Sequence, residues 1–208
     1  AWGAFQDLDG NHLANFRITS GQVDWGSGGN TGGKSCSVVV PDISSKLAKQ
    51  LRGREALYLG KVYQQVTEPT LGVIDVPVIV GRLDTAPNDG SSVTLTFRGK
   101  GALLAHSFGA PVKYGKGRKK TDVIRDIATT HGGEAATKLR VVDRPEVLAK
   151  DVTYKATDSM WLEMVSLAHS MDLILFDDAD GILVCRPMND SPVQTMKTGP
   201  GGWLTSPI

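Results

Sequence analysis

Short runs of alternating apolar and polar residues dominate the first half of the chain. In Val93–Phe97 every second residue is apolar, and β-branched residues, which favour a pleated and half-buried surface, recur throughout this region. Predicted strands are Phe16–Thr19, Cys36–Val40, Ala56–Val66, Val73–Leu83 and Val93–Phe97. Turn residues separate them, and Pro69 and Pro77 indicate edges or bulges. Several short strands at this spacing predict a small β-barrel or sandwich.

The apolar spacing becomes helical in the second half. Thr121 is the predicted N-cap of a helix that ends at the Gly132–Gly133 pair, and a second helix is predicted to begin near Thr157 and Asp158. Their predicted apolar faces are Val123, Ile124, Ile127 and Ala128 in the first, and Trp161, Leu162, Val165 and Ala168 in the second. In the first half, Asp42 is the predicted N-cap of one short helix.

A β-hairpin is predicted after the second helix. Leu173–Phe176 and Ile182–Cys185 are its strands, and the acidic segment Asp177–Gly181 is its turn. A calcium loop would need oxygen ligands at its first and twelfth positions, which here are Phe176 and Pro187. We therefore expect a solvated turn and no metal site.

These patterns predict an α+β protein of two domains. We expect a β-barrel-like domain at residues 1–110 and a smaller α/β domain, with two helices and a β-hairpin, at residues 121–190. Residues 111–120, rich in glycine and lysine, are interpreted as a basic linker. Residues 191–208 are interpreted as a flexible C-terminal tail. A length of 208 residues accommodates two small domains.

Composition narrows the choice of partners. The 23 basic and 22 acidic residues give a formal net charge of +1, so no general attraction to nucleic acid or anionic lipid is expected. No segment approaches the roughly 18 apolar residues that span a bilayer, and the first ten residues lack a signal-peptide pattern, so we expect a soluble protein. Cys36 and Cys185 lack metal-type spacing and are expected to be reduced, buried thiols.

One segment matches the phosphate-binding P-loop pattern in full. Gly28–Ser35 has the required glycines followed by Lys34 and Ser35, and Leu173–Asp177 resembles a strand that ends in a magnesium-binding carboxylate. A P-loop, however, must open a helix whose free N–H groups hold the phosphates. A β-branched run closed by Pro41 follows Ser35 instead. The segment is therefore predicted to be a β-hairpin loop, and no cofactor is expected.

Other residue types give no pattern typical of catalysis. The four histidines, His12, His106, His131 and His169, form no metal-type pair, and no nucleophile motif is present. Lys113, Lys116, Arg118, Lys119 and Lys120 form a basic cluster that could contact phosphate or an acidic partner. The cluster has only Tyr114 as an aromatic neighbour, so any DNA contact is expected to be transient. No enzymatic activity is predicted.

The order of these features resembles bacteriophage tail hub proteins. In the first half the resemblance rests on Ser20–Val23, the glycine-rich loop, a strand that ends in Val-Val-Pro-Asp, and Val80–Asp84. In the second half, Thr121–Ala128, Ser159–Glu163 and Leu175–Pro187 resemble the helix–helix–hairpin unit of those hubs. Together these segments extend from about Val23 to Pro187.

The resemblance implies a structural protein of the virion, located at the distal end of a tail. Family hubs form rings, usually trimers, that link the tail tube to tip or fibre proteins. They also tend to have a second barrel after the helix–hairpin unit, which is not found in this sequence, so the symmetry of the ring stays open. A shortened chain could form a different ring or take the missing barrel from a neighbouring protein.

Interface residues can be proposed on this basis. Trp2, Trp25 and Trp203 lie in glycine-rich surroundings and are candidate interface anchors, as is the basic cluster; alternatively, each tryptophan packs on its own domain. Two other functions stay open: a nucleotide-binding enzyme that uses Gly28–Ser35, and a surface module that binds carbohydrate or peptide.

Overall fold

Seven antiparallel strands from the first half of the chain form the largest sheet. The structure, a computed structural model, describes residues 1–7, 11–24, 34–41, 51, 58–85 and 92–188. The strands are β1 Trp2–Asp7, β2 His12–Arg17, β3 Ser20–Asp24, β4 Ser35–Pro41, β5 Tyr58–Glu68, β6 Gly72–Thr85 and β7 Ser92–Arg98. Their order across the sheet is β2-β1-β5-β6-β7-β4-β3. Five of them overlap the predicted strands, β2 only at Phe16 and Arg17, whereas β1 and β3 were not predicted.

Alternation along the strands places one face of this sheet in a common core. Val93, Leu95 and Phe97 of β7 are buried, and the residues between them are only half-buried. The rings of Phe5 and Phe97 lie 6.2 Å apart in this core. A Cβ atom on Gly60 would lie 2.1 Å from the Phe97 ring, so glycine is needed there for the ring to pack.

A two-residue corner joins the two edge strands of the sheet. β2 ends at Arg17 and β3 begins at Ser20, although the two strands occupy opposite edges. In the corner, the Ile18 N–H donates to the Ala1 carbonyl (3.2 Å) and the Thr19 N–H donates to the Val39 carbonyl (3.0 Å). The sheet therefore curls into a barrel-like shape without closing, which confirms the predicted barrel-like part of the fold.

Helices and two small sheets make up the second half. The helices are α1 Lys100–Leu103, α2 Lys120–Asp126 and α3 Met160–His169, and the strands are β8 Val112–Tyr114, β9 Leu139–Val141, β10 Val152–Tyr154, β11 Leu173–Asp177 and β12 Leu183–Pro187. β8 pairs with β10, and the other sheet has the order β11-β12-β9. Side chains of α2 and α3, including Ile124 and Met164, share a second core with this sheet. The predicted helices and β-hairpin, and with them the α+β class, are confirmed.

The helix ends correct two details of the sequence interpretation. The N-cap of α2 is Lys119, because Thr121 lies inside the helix, where its buried Oγ1 donates to Asp143 Oδ1 (3.3 Å). The N-cap of α3 is Ser159, whose Oγ accepts from the Leu162 N–H (3.4 Å). Leu162 is 39% exposed and therefore does not belong to the buried face. α2 ends at Asp126 and continues as a π-helical turn at residues 127–131, so the helical segment ends at Gly132, as predicted.

The segment interpreted as a basic linker is packed against the second half. Residues 111–120 contain β8, and Tyr114 of this strand is 2% exposed in the second core. Three residues are too few for a period of two to be visible in the sequence, so the strand was missed. The helix predicted after Asp42 and the tail at residues 191–208 lie outside the described residues.

Candidate assembly surfaces and the phosphate-loop pattern

The segment that matches the P-loop pattern leads into a strand. Ser35 is the first residue of β4, where it pairs with Asp24 on one side and Arg98 on the other. Gly28 and Gly33 lie outside the described residues. Because an extended strand follows Lys34, the free N–H groups of a helix start are not provided at this position. The sequence prediction that Ser35 continues as a strand is confirmed.

The structure nonetheless brings Lys34 to Asp177, the last residue of β11. Hydrogen bonding from the backbone N–H groups of Lys34 and Lys100 lowers the pKa of the Asp177 carboxyl, while its Oδ2 is buried and has no hydrogen-bond partner among the described residues. The Gly99 N–H donates to the Lys34 carbonyl (2.8 Å). Only 8% of Lys34 and 1% of Asp177 are exposed. A Cβ atom on Gly99 would lie 2.2 Å from Asp177 Oδ2, so glycine leaves the space that the carboxylate occupies.

Burial dominates the electrostatics of this contact. It raises the pKa of Asp177, and the charge of Lys34 and the donated N–H groups oppose that rise. Burial also lowers the pKa of Lys34, against the attraction of Asp177 and Asp178. Lys34 precedes β4 in the first half and Asp177 ends β11 in the second, so the contact joins the two halves. We refer to Lys34, Gly99, Lys100 and Asp177 as the seam.

Residues 178–181 form a hairpin turn, as predicted, but Asp177, which was assigned to the same solvated turn, is the buried last residue of β11. Asp178 Oδ1 accepts from the N–H groups of Asp180 (3.0 Å) and Ile182 (2.8 Å), so this carboxylate stabilises the turn itself. Within the described ranges, no group of three or more His, Cys, Asp or Glu side chains could hold a metal ion. None of the helices in those ranges has the length and apolar character needed to cross a membrane.

Local contacts engage much of the basic cluster. Lys119 Nζ lies 3.0 Å from Asp143, Lys120 Nζ donates to Ser170 Oγ (2.8 Å), and the Arg118 guanidinium lies 4.9 Å from the centre of the Tyr114 ring. Arg118 also lies 3.6 Å from a carboxylate oxygen of Asp126. Lys113 and Lys116 are exposed. The structure therefore leaves these two as the members of the cluster most available to a partner.

Of the three predicted tryptophan anchors, the structure describes Trp2. Its ring stacks on Tyr63 at a centroid distance of 4.4 Å, and its Nε1 donates to Asp75 (2.8 Å). Trp2 thus contacts its own sheet and stays half-exposed. Trp25 and Trp203 lie outside the described residues.

A two-stranded extension of the sheet exposes apolar side chains. β1 pairs with β5 only up to Tyr63, and β7 pairs with β6 only from Arg82 onward. Residues 64–77, here called the arm, extend beyond these neighbouring strands. Exposed apolar residues of the arm are Val66 (43%), Leu71 (72%), Val73 (65%) and Val76 (43%). Sequence analysis assigned these strands to the sheet but missed the exposure, because alternation does not show where neighbouring strands stop.

A groove on the outer face of the β11-β12-β9 sheet is the second exposed apolar surface. Its lining is Arg140, Val141, Val142, Phe176, Asp178, Val184 and Arg186, and its volume is about 470 Å³. The Arg186 guanidinium lies 5.5 Å from the centre of the Phe176 ring, and Arg140 lies 3.7 Å from Asp178. The groove therefore combines an apolar floor with two guanidinium groups. No sequence motif marked it, because it is assembled from three separate strands.

Solved structures of tail proteins have this fold. The 43 kDa tail protein of prophage MuSo2 from Shewanella oneidensis matches with a TM-score of 0.58 and 16% identity, over 95% of this chain and 58% of that one. The tail protein from Neisseria meningitidis MC58 matches with a TM-score of 0.56 and 12% identity, over 88% of this chain and 50% of that one. No family model and no curated protein matches the sequence.

The chain therefore spans somewhat more than half the length of the first of these proteins and half of the second. At such low identities the comparison establishes the fold alone. It confirms, at that level, the resemblance to phage tail proteins predicted from the sequence.

Proposed function

We propose that this chain is a structural component of a phage tail tip. In this proposal it forms a ring-like hub, a homotrimer or another ring, that connects the tail tube to distal tip or fibre proteins. The observation that carries the proposal is the fold, which agrees with those of two tail proteins over 95% and 88% of the chain. The sequence resemblance to tail hubs supports the same assignment.

The surfaces of the molecule support a role in assembly. Contiguous exposed apolar residues on a protein commonly mark sites of association. Here they occur on the arm and in the groove, while the buried seam holds the two halves of the subunit together. A subunit of this kind can bind its neighbours without rearranging its cores.

Two measurements test the proposal. Negative-stain microscopy and sedimentation velocity of the purified chain should show closed rings with a central opening. Gold-labelled antibodies against the chain should bind at the distal end of intact tails. A chain that stays monomeric at every concentration contradicts the ring, and label along the tail shaft contradicts the distal position.

A further inference from the structure

The arm is a β-ribbon, and no layer formed by the described residues covers much of its surface. Gln64 pairs with Val76 and Val66 pairs with Ile74, which places these four residues on one face. Val66 and Val76 are each 43% exposed there, and Val73 on the opposite face is 65% exposed. A two-stranded ribbon of this kind is marginal in stability by itself. Burial of these side chains against another surface would therefore stabilise it.

The arm is also acidic. Residues 64–77 contain Glu68 and Asp75 and no basic residue. Asp75 is exposed and accepts a hydrogen bond from Trp2, which fixes its carboxylate near the base of the arm. The surface that fits the arm is therefore apolar and basic.

The groove has those two properties. Phe176 and Val184 form part of its floor, and the positive charges of Arg140 and Arg186 exceed the single negative charge of Asp178, which lies beside Arg140. Within the part of the chain that the structure describes, no carboxylate lies within ion-pair distance of Arg186. Arginine over an aromatic floor is a composition enriched at protein interfaces.

Within one chain the arm does not fill the groove, since no arm residue contributes to the groove lining. A Cβ atom on Gly181, in the turn between β11 and β12, would lie 2.9 Å from Val80 Cβ, so this turn packs beside the base of the arm. At about 3.3 Å per residue, the tip of the arm lies roughly 30 Å along the strand from Val80. That length gives the arm the reach to contact a second molecule.

We propose that the arm of one copy of this chain binds in the groove of the next copy. The inference rests on the proposed function, because it supplies the contact between subunits of the ring. Arm and groove are different surfaces, so each subunit uses one to bind and the other to be bound. Repetition of such a head-to-tail contact generates a closed ring when its rotation closes.

The first experiment uses one disrupting variant on each surface. Val73→Asp places a charge on the arm, and Arg186→Glu reverses a charge in the groove. Sedimentation velocity should show the unmodified chain as an oligomer and each variant as a monomer, with the dissociation constant raised at least about tenfold. Matched controls are Leu13→Asp, an exposed apolar residue of β2, and Lys155→Glu, an exposed lysine, and both should still assemble.

Mixing the two variants tests the head-to-tail geometry. The Val73→Asp chain keeps its groove and the Arg186→Glu chain keeps its arm, so the mixture should form a one-to-one heterodimer and nothing larger. Two monomers that stay separate on mixing overturn the proposal. If the unmodified chain assembles and both variants assemble equally well, the arm–groove contact is wrong and the ring survives. A monomeric unmodified chain overturns both.

A second measurement does not depend on loss of assembly. A chain with Val73→Cys and Val142→Cys should give a ladder of crosslinked oligomers with a short bis-maleimide, while each single-cysteine variant should give none. The native Cys36 and Cys185 are buried and do not compete. Far-UV circular dichroism checks that every variant is folded. Absence of the ladder in a folded, assembled chain overturns the contact.

Discussion

Asp177 and Lys34 are buried close enough for each charge to shift the pKa of the other, although the two residues belong to different halves of the chain. The same two residues match positions of a nucleotide-binding sequence pattern, in which Lys34 is the P-loop lysine and Asp177 is the carboxylate at a strand end. Here they are buried together between β4 and β11, where the carboxylate contacts backbone N–H groups. In this protein the two residues therefore form part of the junction between the two halves.

Loss of the Asp177 carboxylate should destabilise the protein. Asp177→Ala leaves two buried N–H donors, of Lys34 and Lys100, without this acceptor, and should lower the free energy of unfolding by about 3 kcal/mol. Lys34→Met keeps the backbone donor and should cost less, because the Asp177 carboxyl, whose pKa is raised, can become neutral when the lysine charge is removed. Urea denaturation measures both, and Asp180→Ala in the exposed turn is the control. A smaller loss for Asp177→Ala than for Lys34→Met would contradict this account of the seam.

The cost of replacing Asp177 should depend on pH. Burial raises the pKa of this carboxyl in the folded chain above its ordinary value of 3.8. The folded state therefore holds the proton more tightly, and stability is lost as pH rises from 3.8 through the raised pKa. Asp177→Asn removes that loss. The unfolding free energy of the parent minus that of the variant should therefore fall as pH rises. Denaturation midpoints at a series of pH values from acid to neutral measure it, and a difference that grows with pH contradicts the shift.

Nucleotide should not bind at the Gly28–Ser35 segment. β4 begins at Ser35, so the helix N-terminus on which a P-loop depends is replaced by an extended strand. ATP with magnesium should leave the thermal midpoint of the chain unchanged, and Lys34→Ala should respond no differently from its own nucleotide-free control. A rise in the midpoint that Lys34→Ala abolishes would show that the segment does bind nucleotide.

Both thiols should resist labelling in the folded chain. Burial raises the pKa of Cys36 and of Cys185 to about 11 in each case. At pH 8 the thiolate fraction is then about 100-fold below that of an ordinary cysteine, before restricted access is counted. Cys36 belongs to the first core and Cys185 to the second, so a thiol reagent reports the opening of each core separately. Rapid reaction of either thiol in the native state would contradict its placement.

Trp2 should contribute to the stability of the first half. Trp2→Ala removes both the stack on Tyr63 and the hydrogen bond to Asp75, at a cost of about 2 kcal/mol, whereas Trp2→Phe keeps the ring contact and should cost about 1 kcal/mol. Leu13→Ala, at an exposed position, is the control. If Trp2→Ala leaves the unfolding free energy unchanged and abolishes assembly, Trp2 is an interface anchor instead of a packing residue.

The sequence predicted elements whose own residues carry a strong pattern. β7 alternates strictly, and the strands of the β11–β12 hairpin are short apolar runs on either side of a turn, so each was found within two residues. β1 was missed because Gly3 and Ala4 weaken its apolar signal, although both pack against neighbouring strands. Thr121 matches an N-cap in type, yet its hydroxyl bonds to Asp143, a partner that only the folded chain brings close.

The seam and the exposed surfaces could not be predicted in the same way. Lys34 and Asp177 are far apart in sequence, and their contact depends on how the two halves pack. The exposure of Val73 depends on where β7 stops beside β6, which is a property of the neighbouring strand. Local patterns determine which residues alternate, whereas tertiary packing determines which of them are covered.

The arm extends past its neighbouring strands, so its length can change without affecting the packing of the rest of the fold. Because residues 64–77 lie beyond the paired portions of β1 and β7, insertion or deletion of whole cross-strand pairs at the turn changes no side chain in either core. Adding two pairs lengthens the projection by about 7 Å and keeps each face oriented as before, since side chains repeat every second residue. Under the proposed arm–groove contact, the length of this hairpin alone therefore sets the distance between neighbouring subunits.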